Sequence, residues 1–193
     1  GLTEKQMRIV LNHKEAISFL KEHGSSLSFA KRDLLDIHSL LIKGLLGDTS
    51  AAGALRSVVV KFDDSKYLPP DNPHQLKEIF DEFCEKADAI TNPYEQAFFA
   101  MVFISYIQPF QDGNKRTSRI AMNIPLVKHA LAPFSFSDIR GRDYTFGLLA
   151  FYERGKHSFL ANAFTAAYQK SAARYGDLVS HINDGGLLGT IST

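Results

Sequence analysis

The chain contains 193 residues, of which 45% are hydrophobic and 22% are charged, and its formal net charge is +1. This length suits one globular domain with a sizeable core, and the balanced charge argues against direct binding to nucleic acid. The single cysteine, Cys84, excludes an internal disulfide and a cysteine-based metal site and indicates a reducing, cytoplasmic location, while no stretch is apolar enough to predict a membrane span.

Periodic apolar positions predict a protein built almost entirely of helices. The second of these helices is expected to follow Ser28 as its N-cap, and Pro125 should interrupt the fifth. The fourth is apolar nearly all round, which predicts a buried central helix. We divide the chain into an N-terminal helix at 1–27, a core domain at 28–175 and a flexible tail at 176–193. The predicted helices cover residues 4–22, 28–42, 73–90, 93–106, 114–129, 141–154 and 156–174.

Residues 57–68 interrupt this helical pattern. "SVVVKF" is rich in β-branched residues, "DDSK" is typical of a turn, and "YLPP" ends at Pro69 and Pro70. This order predicts a small β-hairpin. Because an isolated hairpin cannot form a core, we expect it to lie on the surface as a flap.

The stretch "YIQPFQDGNKRTSR" at 106–119 carries most of the polar chemistry. Gly113 permits a close backbone turn, and the helix that follows begins near Asn114. The first N–H groups of such a helix have no internal partners and lie at the positive end of its dipole. The pattern therefore predicts a site for an anion.

The charged side chains around the start of this helix indicate which kind of anion the site would bind. Arg116 and Arg119 are three residues apart and can contact successive phosphates. Asp112 would repel a bare phosphate but could hold Mg²⁺ bridging to it. We therefore predict a cradle for a Mg²⁺-bound nucleoside di- or triphosphate. The alternative is a capped helix with a solvated charged face, and the apolar helix that precedes the loop favours the ligand site.

The same stretch resembles the motif of the Fic/Doc (Fido) family, His-x-Phe-x-(Asp/Glu)-Gly-Asn-(Gly/Lys)-Arg-x-x-Arg, with variable positions of a kind common in bacterial members. The resemblance extends over roughly residues 10–175 and implies an all-α, Fic-type helical bundle with a β-hairpin flap near 57–68. The motif positions that match in register are Phe110, Asp112, Gly113, Asn114, Lys115, Arg116 and Arg119.

The resemblance also implies an activity, the transfer of AMP from ATP to a Ser, Thr or Tyr hydroxyl of a target protein, with Mg²⁺ as cofactor. By position, Asp112 would hold the metal and Phe110 would anchor the loop in the core. Asn114 and Arg116 would take part in catalysis beside residue 108. The nucleotide would contact Gly113, Asn114, Lys115, Arg116 and Arg119, and the target would pair with the flap at Val59, Val60, Lys61 and Phe62.

Gln108 stands where the family motif has histidine. An imidazole can accept the proton of the target hydroxyl near neutral pH, whereas a carboxamide does not titrate. We expect none of the other histidines to substitute, and we interpret His38 as a hydrogen-bonded core or boundary residue. Gln108 is then a laboratory substitution, a natural non-catalytic residue or a residue that the chemistry tolerates.

Three functions follow from these observations: an adenylyltransferase impaired at Gln108, a non-catalytic module that binds nucleotide or protein, and a Doc-like protein kinase suggested by Lys115. A homodimer is compatible with each. An inhibitory Ser/Thr-x-x-x-Glu-Gly/Asn segment, found in many members, has its nearest match at 18–22, where His23 follows instead of glycine or asparagine. We interpret that stretch as an ordinary surface helix.

Overall fold

The computed structural model describes residues 1–62 and 65–188, and within them the regular secondary structure is entirely helical. A short 3-10 turn at Thr49–Ala51 is the smallest element. The helices are α1 (Glu4–His23), α2 (Lys31–Ile42), α3 (Pro73–Ala89), α4 (Pro93–Ile107), α5 (Asn114–Ala121), α6 (Ile124–Lys128), α7 (Gly141–Arg154) and α8 (Ser158–Leu188). The prediction of an all-α fold is confirmed.

Two asparagine–proline pairs set the starts of the central helices. The Asn72 side-chain oxygen accepts hydrogen bonds from the backbone of His74 and Gln75 at 2.9 and 3.2 Å. Asn92 caps α4 in the same way, and each cap is followed directly by proline in the first turn. An N-cap acceptor satisfies amides that a helix leaves free, and proline fits where no amide is needed. These starts are therefore fixed locally.

The start of α2 differs from the prediction. The helix begins at Lys31 after Ala30, which offers no side-chain cap. The Ser28 hydroxyl instead donates to the Asp33 carboxylate at 3.0 Å, and the Ser28 amide donates to the same oxygen at 2.9 Å. Ser28 thus fixes the approach to the helix from two residues earlier, and its predicted role as N-cap is wrong.

Helix α4 is the central element, as its apolar sequence predicts. It packs against α3, α5, α6 and α7. Its buried residues include Met101, Val102 and Ile104, each no more than 1% exposed. Because α4 leads directly into the polar stretch at 106–119, this packing places that stretch beside the core.

The predicted β-hairpin is not present in the described part of segment 57–68, where residues 57–62 and 65–68 have no strand pairing. Its turn residues 63 and 64 lie outside the described residues. Side chains hold the segment instead: the Phe62 ring lies 4.9 Å from that of Tyr152, and Tyr67 stacks on Tyr106 at 4.3 Å. β-Branched composition indicates an extended chain, but hydrogen bonding decides whether a strand forms.

Two further predictions concern the residues at which helices end. The predicted interruption at Pro125 is confirmed, because α5 ends at Ala121 and Pro125 lies in the first turn of α6. Helix α8 continues to Leu188, so the prediction that it ends near 174 is wrong. The flexibility of the tail at 176–193 stays a prediction, and residues 189–193 lie outside the described residues.

Among the described helices, none has the length and hydropathy needed to span a bilayer.

Gly147 tests the packing of α7 on α8. A methyl group added there would lie 2.8 and 2.9 Å from Cβ and Cδ1 of Leu160, a fully buried residue. We expect Gly147→Ala to lower the free energy of unfolding by about 1–2 kcal/mol, since overpacking outweighs the gain in helix propensity. Urea denaturation measures the change.

Gly141, at the first position of the same helix, has open space around its added methyl group and provides the matched control. Gly141→Ala should change the free energy of unfolding by less than about 0.5 kcal/mol. Equal stabilities of the two variants would contradict the packing described here.

Candidate functional site

The polar loop joins α4 to α5 through two residues in the left-handed region. Gln108 ends α4 with φ 50° and ψ 59°, and Gly113 precedes α5 with φ 80°. Glycine adopts this conformation readily, whereas a residue with a side chain does so at a cost. The loop between them must therefore be held by specific contacts.

The Asn114 side chain supplies the first of these contacts. Its oxygen accepts from the Phe110 amide at 2.8 Å, and its nitrogen donates to the Phe110 carbonyl at 2.8 Å and to the Gln108 side-chain oxygen at 3.0 Å. Asn114 is buried, so these bonds replace water. Its side chain is therefore committed to the loop, and only its backbone amide can serve a ligand.

His38 supplies the second contact, from α2. Its ring stacks on Phe110 with centroids 3.8 Å apart, and both side chains are fully buried. Its Nδ1 accepts from the Gly53 amide at 3.1 Å, so the neutral ring carries its proton on Nε2, which donates to the Asp112 carbonyl at 3.0 Å. Burial lowers the pKa of His38 to about 4. The interpretation of His38 as a hydrogen-bonded core residue and the anchoring of Phe110 in the core are both confirmed.

With the loop closed, the start of α5 faces a cavity. The backbone amides of Asn114, Lys115 and Arg116 have no acceptor among the described residues, in contrast to Thr117, whose amide donates to the Gly113 carbonyl at 2.8 Å. We call the space before them the motif cavity, with a volume of about 490 Å³. Free amides at a helix N-terminus attract anions. Its lining residues are Val60, Lys61, Phe62, Gln108, Gln111, Asp112, Gly113, Asn114, Lys115, Arg116, Thr145, Leu148, Leu149 and Tyr152.

Asp112 and Arg116 are paired at the mouth of this cavity. Arg116 donates to the Asp112 carboxylate at 3.2 Å and to the Leu41 carbonyl at 3.3 Å. The Asp112 side chain is 49% exposed and can therefore reach a ligand. A single carboxylate suits Mg²⁺ that takes its remaining ligands from phosphates and water, and no cluster of three or more His, Cys, Asp or Glu side chains occurs in the described ranges. The donor set fits a substrate-bound magnesium.

Arg119 does not join this group. Its guanidinium carbon lies 4.7 Å above the Phe136 ring and 5.5 Å from the Tyr144 ring, and its Nε is buried without a partner among the described residues. It lines a separate cavity of about 590 Å³ together with His13 and Lys21. The expectation that Arg116 and Arg119 point to one phosphate chain is not met in this conformation, because the long Arg119 side chain turns towards the aromatic rings.

Gln108 lines the motif cavity, but both polar atoms of its side chain are engaged. Its nitrogen donates to the Ser105 carbonyl at 2.7 Å, and its oxygen accepts from Asn114 at 3.0 Å. A side chain held in this way stabilises the loop. It has no titratable group with which to take a proton.

The helix α7 contributes site residues that the sequence interpretation missed. Thr145, Leu148, Leu149 and Tyr152 form the wall that faces the loop. Their spacing places them on one face of an amphipathic helix. The sequence alone does not show whether such a face packs in the core or lines a cavity. Of the predicted flap residues, Val60, Lys61 and Phe62 line the cavity, whereas Val59 is 60% exposed and is not among the lining residues.

The lowered pKa of His38 predicts a pH dependence of stability. The ordinary pKa of 6.5 applies to the unfolded chain and about 4 to the folded one. Between these values only the unfolded chain binds the proton, so the free energy of unfolding should fall by about 3 kcal/mol as pH decreases through this window. His13, whose pKa is also lowered by burial, acts in the same direction. Denaturation at stepped pH measures the slope.

His38→Gln should flatten most of this slope, because the variant has no group that titrates at that position. The matched control is His74→Gln, since His74 has 82% of its side chain exposed. If the His38 variant kept the slope of the native chain, the assignment of the pH dependence to His38 would be wrong.

Comparison with known proteins agrees with the motif. A model of the Fic/DOC family matches residues 28–126, which is more than half of the chain. A protein adenylyltransferase Fic from Nematostella vectensis is 31% identical over 137 residues, covering 64% of this chain and 31% of that protein. Protein adenylyltransferase fic-1 from Caenorhabditis elegans is 28% identical over 140 residues, covering 69% of this chain and 27% of that one. The chain thus spans about a third or less of the length of these curated relatives.

Solved structures share the fold at lower sequence identity. A Fic family protein from Desulfovibrio desulfuricans G20 superposes with a TM-score of 0.72 at 19% identity, covering 94% of this chain and 56% of that one. The BepC protein from Bartonella tribocorum, solved with bound AMPPNP, superposes with a TM-score of 0.60 at 18% identity, covering 84% and 83%. Sequence match, motif and fold agree: the chain belongs to the Fic/DOC family.

Proposed function

We propose that this chain carries the site of a Fic-type adenylyltransferase, which transfers AMP from Mg²⁺-ATP to a hydroxyl of a target protein and is impaired here by Gln108. The observation that carries the proposal is the motif cavity, where free amides at the start of α5, Arg116 and Asp112 meet opposite the flap. The relatives named as protein adenylyltransferases support the same reaction.

The amides of Asn114, Lys115 and Arg116 would bind the phosphate that is attacked, because they are preorganised and need no rearrangement. Arg116 would leave one Asp112 oxygen for a phosphate oxygen, while the Gly113 amide keeps its bond to the other. The released oxygen would hold Mg²⁺, which would supply positive charge against the phosphates. Arg119 would have to turn from Phe136 to reach the same phosphates. Thr145, Leu148 and Tyr152 would form the wall against the nucleoside.

The transfer needs a place for one proton. The target oxygen forms a bond to the α-phosphorus, the bond from that phosphorus to the bridging oxygen of the β-phosphate breaks, and pyrophosphate leaves. The hydroxyl proton must go to a base near residue 108, and Gln108 cannot accept it. Loss of a positioned general base costs about 10²- to 10⁴-fold in rate. Nucleotide binding does not depend on that proton.

A non-catalytic nucleotide-binding module is the second candidate, favoured by the engagement of both Gln108 polar atoms within the loop. The Doc-like kinase stays a hypothesis, since the Lys115 side chain is exposed and gives no separate support. ATP labelled at the α- or the γ-phosphate distinguishes AMP transfer from kinase activity.

Restoring a base tests catalysis. With ATP and Mg²⁺ in a lysate, the Gln108→His chain should attach α-phosphate label to protein at a rate about 10²- to 10⁴-fold above the native chain. The double variant Gln108→His/Asp112→Ala should lose this gain. Gln108→Asn, which changes the side-chain length without adding a base, is the matched control. Absence of labelling with every variant, despite nucleotide binding, would leave the binding module as the function.

Calorimetry tests the nucleotide site independently. The native chain should bind Mg²⁺-ATP, and Arg116→Ala should weaken binding about 10- to 100-fold, as expected for the loss of hydrogen bonds from a charged group. Arg32→Ala is the matched control, since the Arg32 side chain is 90% exposed on α2. A native chain that binds no nucleotide would contradict both candidate functions.

A further inference from the structure

Arg56 is a buried cation that the proposed chemistry does not use. It lies between α2 and α3 in the sequence, is only 5% exposed, and forms no ion pair with a carboxylate in the described part of the chain. Taking a guanidinium out of water is unfavourable unless hydrogen bonds replace its hydration. The groups that hold it therefore indicate its role.

The partners of Arg56 are backbone carbonyls from separate parts of the chain. Its Nε donates to Gln108 at 2.6 Å, one terminal nitrogen donates to Val58 at 2.9 Å, and the other donates to Pro70. Its own amide donates to the Pro109 carbonyl at 2.9 Å. The planar guanidinium presents donors in fixed directions, so a single side chain sets the relative positions of these carbonyls.

Val58 lies at the start of the flap segment (57–68) and Pro70 lies two residues beyond its end, so the two carbonyls flank the flap. Between them lie Val60, Lys61 and Phe62, which line the motif cavity. In the described part of this segment no strand pairing holds the ends together. Arg56 closes the base of the flap by a direct bond to each end, which lowers the number of conformations open to the segment.

The remaining contacts of Arg56 reach the polar loop between α4 and α5. Gln108 is held in the left-handed region at φ 50°, and Arg56 fixes its carbonyl. The amide of Arg56 fixes the next carbonyl, that of Pro109. The backbone at position 108 and the two carbonyls that flank the flap are thus bonded to the same residue.

We propose that Arg56 is a positioning residue that clamps both ends of the flap to the backbone of Gln108 and Pro109, and so sets the width of the motif cavity. Its importance for catalysis rests on the proposed function. The clamp itself does not, because it is a property of the fold that can be measured without substrate.

A spin label on the flap tests the clamp. Cys84 is the single cysteine and is buried, so a Cys84→Ala chain accepts a nitroxide only where a new cysteine is placed. Val59→Cys places it on the flap, at a residue that is 60% exposed. Gln169→Cys places a control label on the exposed face of α8. For each label position, the nitroxide spectrum of the chain with the native Arg56 is compared with those of the Arg56→Met and Arg56→Lys variants.

In the Arg56→Met chain, the ratio of mobile to immobile label at position 59 should rise at least about tenfold, since hydrogen bonds from a charged group are lost. Arg56→Lys should give a smaller rise, because an ammonium lacks the planar fork. The label at position 169 should be unchanged. An unchanged label at position 59, or an equal rise at both positions, would overturn the clamp.

If Arg56→Met does not fold, Arg56→Lys decides the question alone, and a flap as immobile as in the native chain would overturn the proposal. The outcome is separable from that of the proposed function. If the native chain binds no Mg²⁺-ATP but the label is released in the Arg56 variants, the proposed function fails and the clamp stands. If the native chain binds Mg²⁺-ATP but the label is unchanged in the variants, the clamp fails and the proposed function stands.

Discussion

The site depends on one buried carboxamide. Asn114 bonds to both backbone groups of Phe110 and to the Gln108 side chain, and this closes the loop between α4 and α5. If its side chain were free, the loop could fold back on the start of α5 and satisfy the amides that now face the cavity. The free amides at the start of α5 therefore depend on contacts made within the loop itself.

The supports around this loop come from distant parts of the chain. His38 holds the Asp112 carbonyl from α2, and Arg56 holds the Gln108 carbonyl from the start of the flap. Both residues are buried and donate to backbone carbonyls, so each gives orientation without competing for a ligand. The charged groups that can contact a ligand, Asp112 and Arg116, are by contrast partly exposed. Rigid support and adjustable contact are thus divided between different residues.

Two cavities are lined by different residues of α5. Arg116 lies at the motif cavity and Arg119 at the cavity lined by α1 and α8 residues. Arg119 is stabilised there by the faces of Phe136 and Tyr144. A nucleotide that recruits Arg119 must replace these contacts, so the gain from its charge is partly offset.

The sequence by itself determined the helical fold, the starts of α3 and α4 at Pro73 and Pro93, the break at Pro125 and the start of α5 at Asn114 with its free amides, because each follows from contacts within a few residues. It also determined that Gln108 cannot act as a base, which is a property of the side chain alone. Only the tertiary structure decided the direction of Arg119, the commitment of the Asn114 side chain, the wall formed by α7 and the absence of strand pairing in the described part of the flap. These depend on bonds between residues far apart in the chain, such as Arg56 with Gln108 and His38 with Asp112, and local spacing carries no information about them.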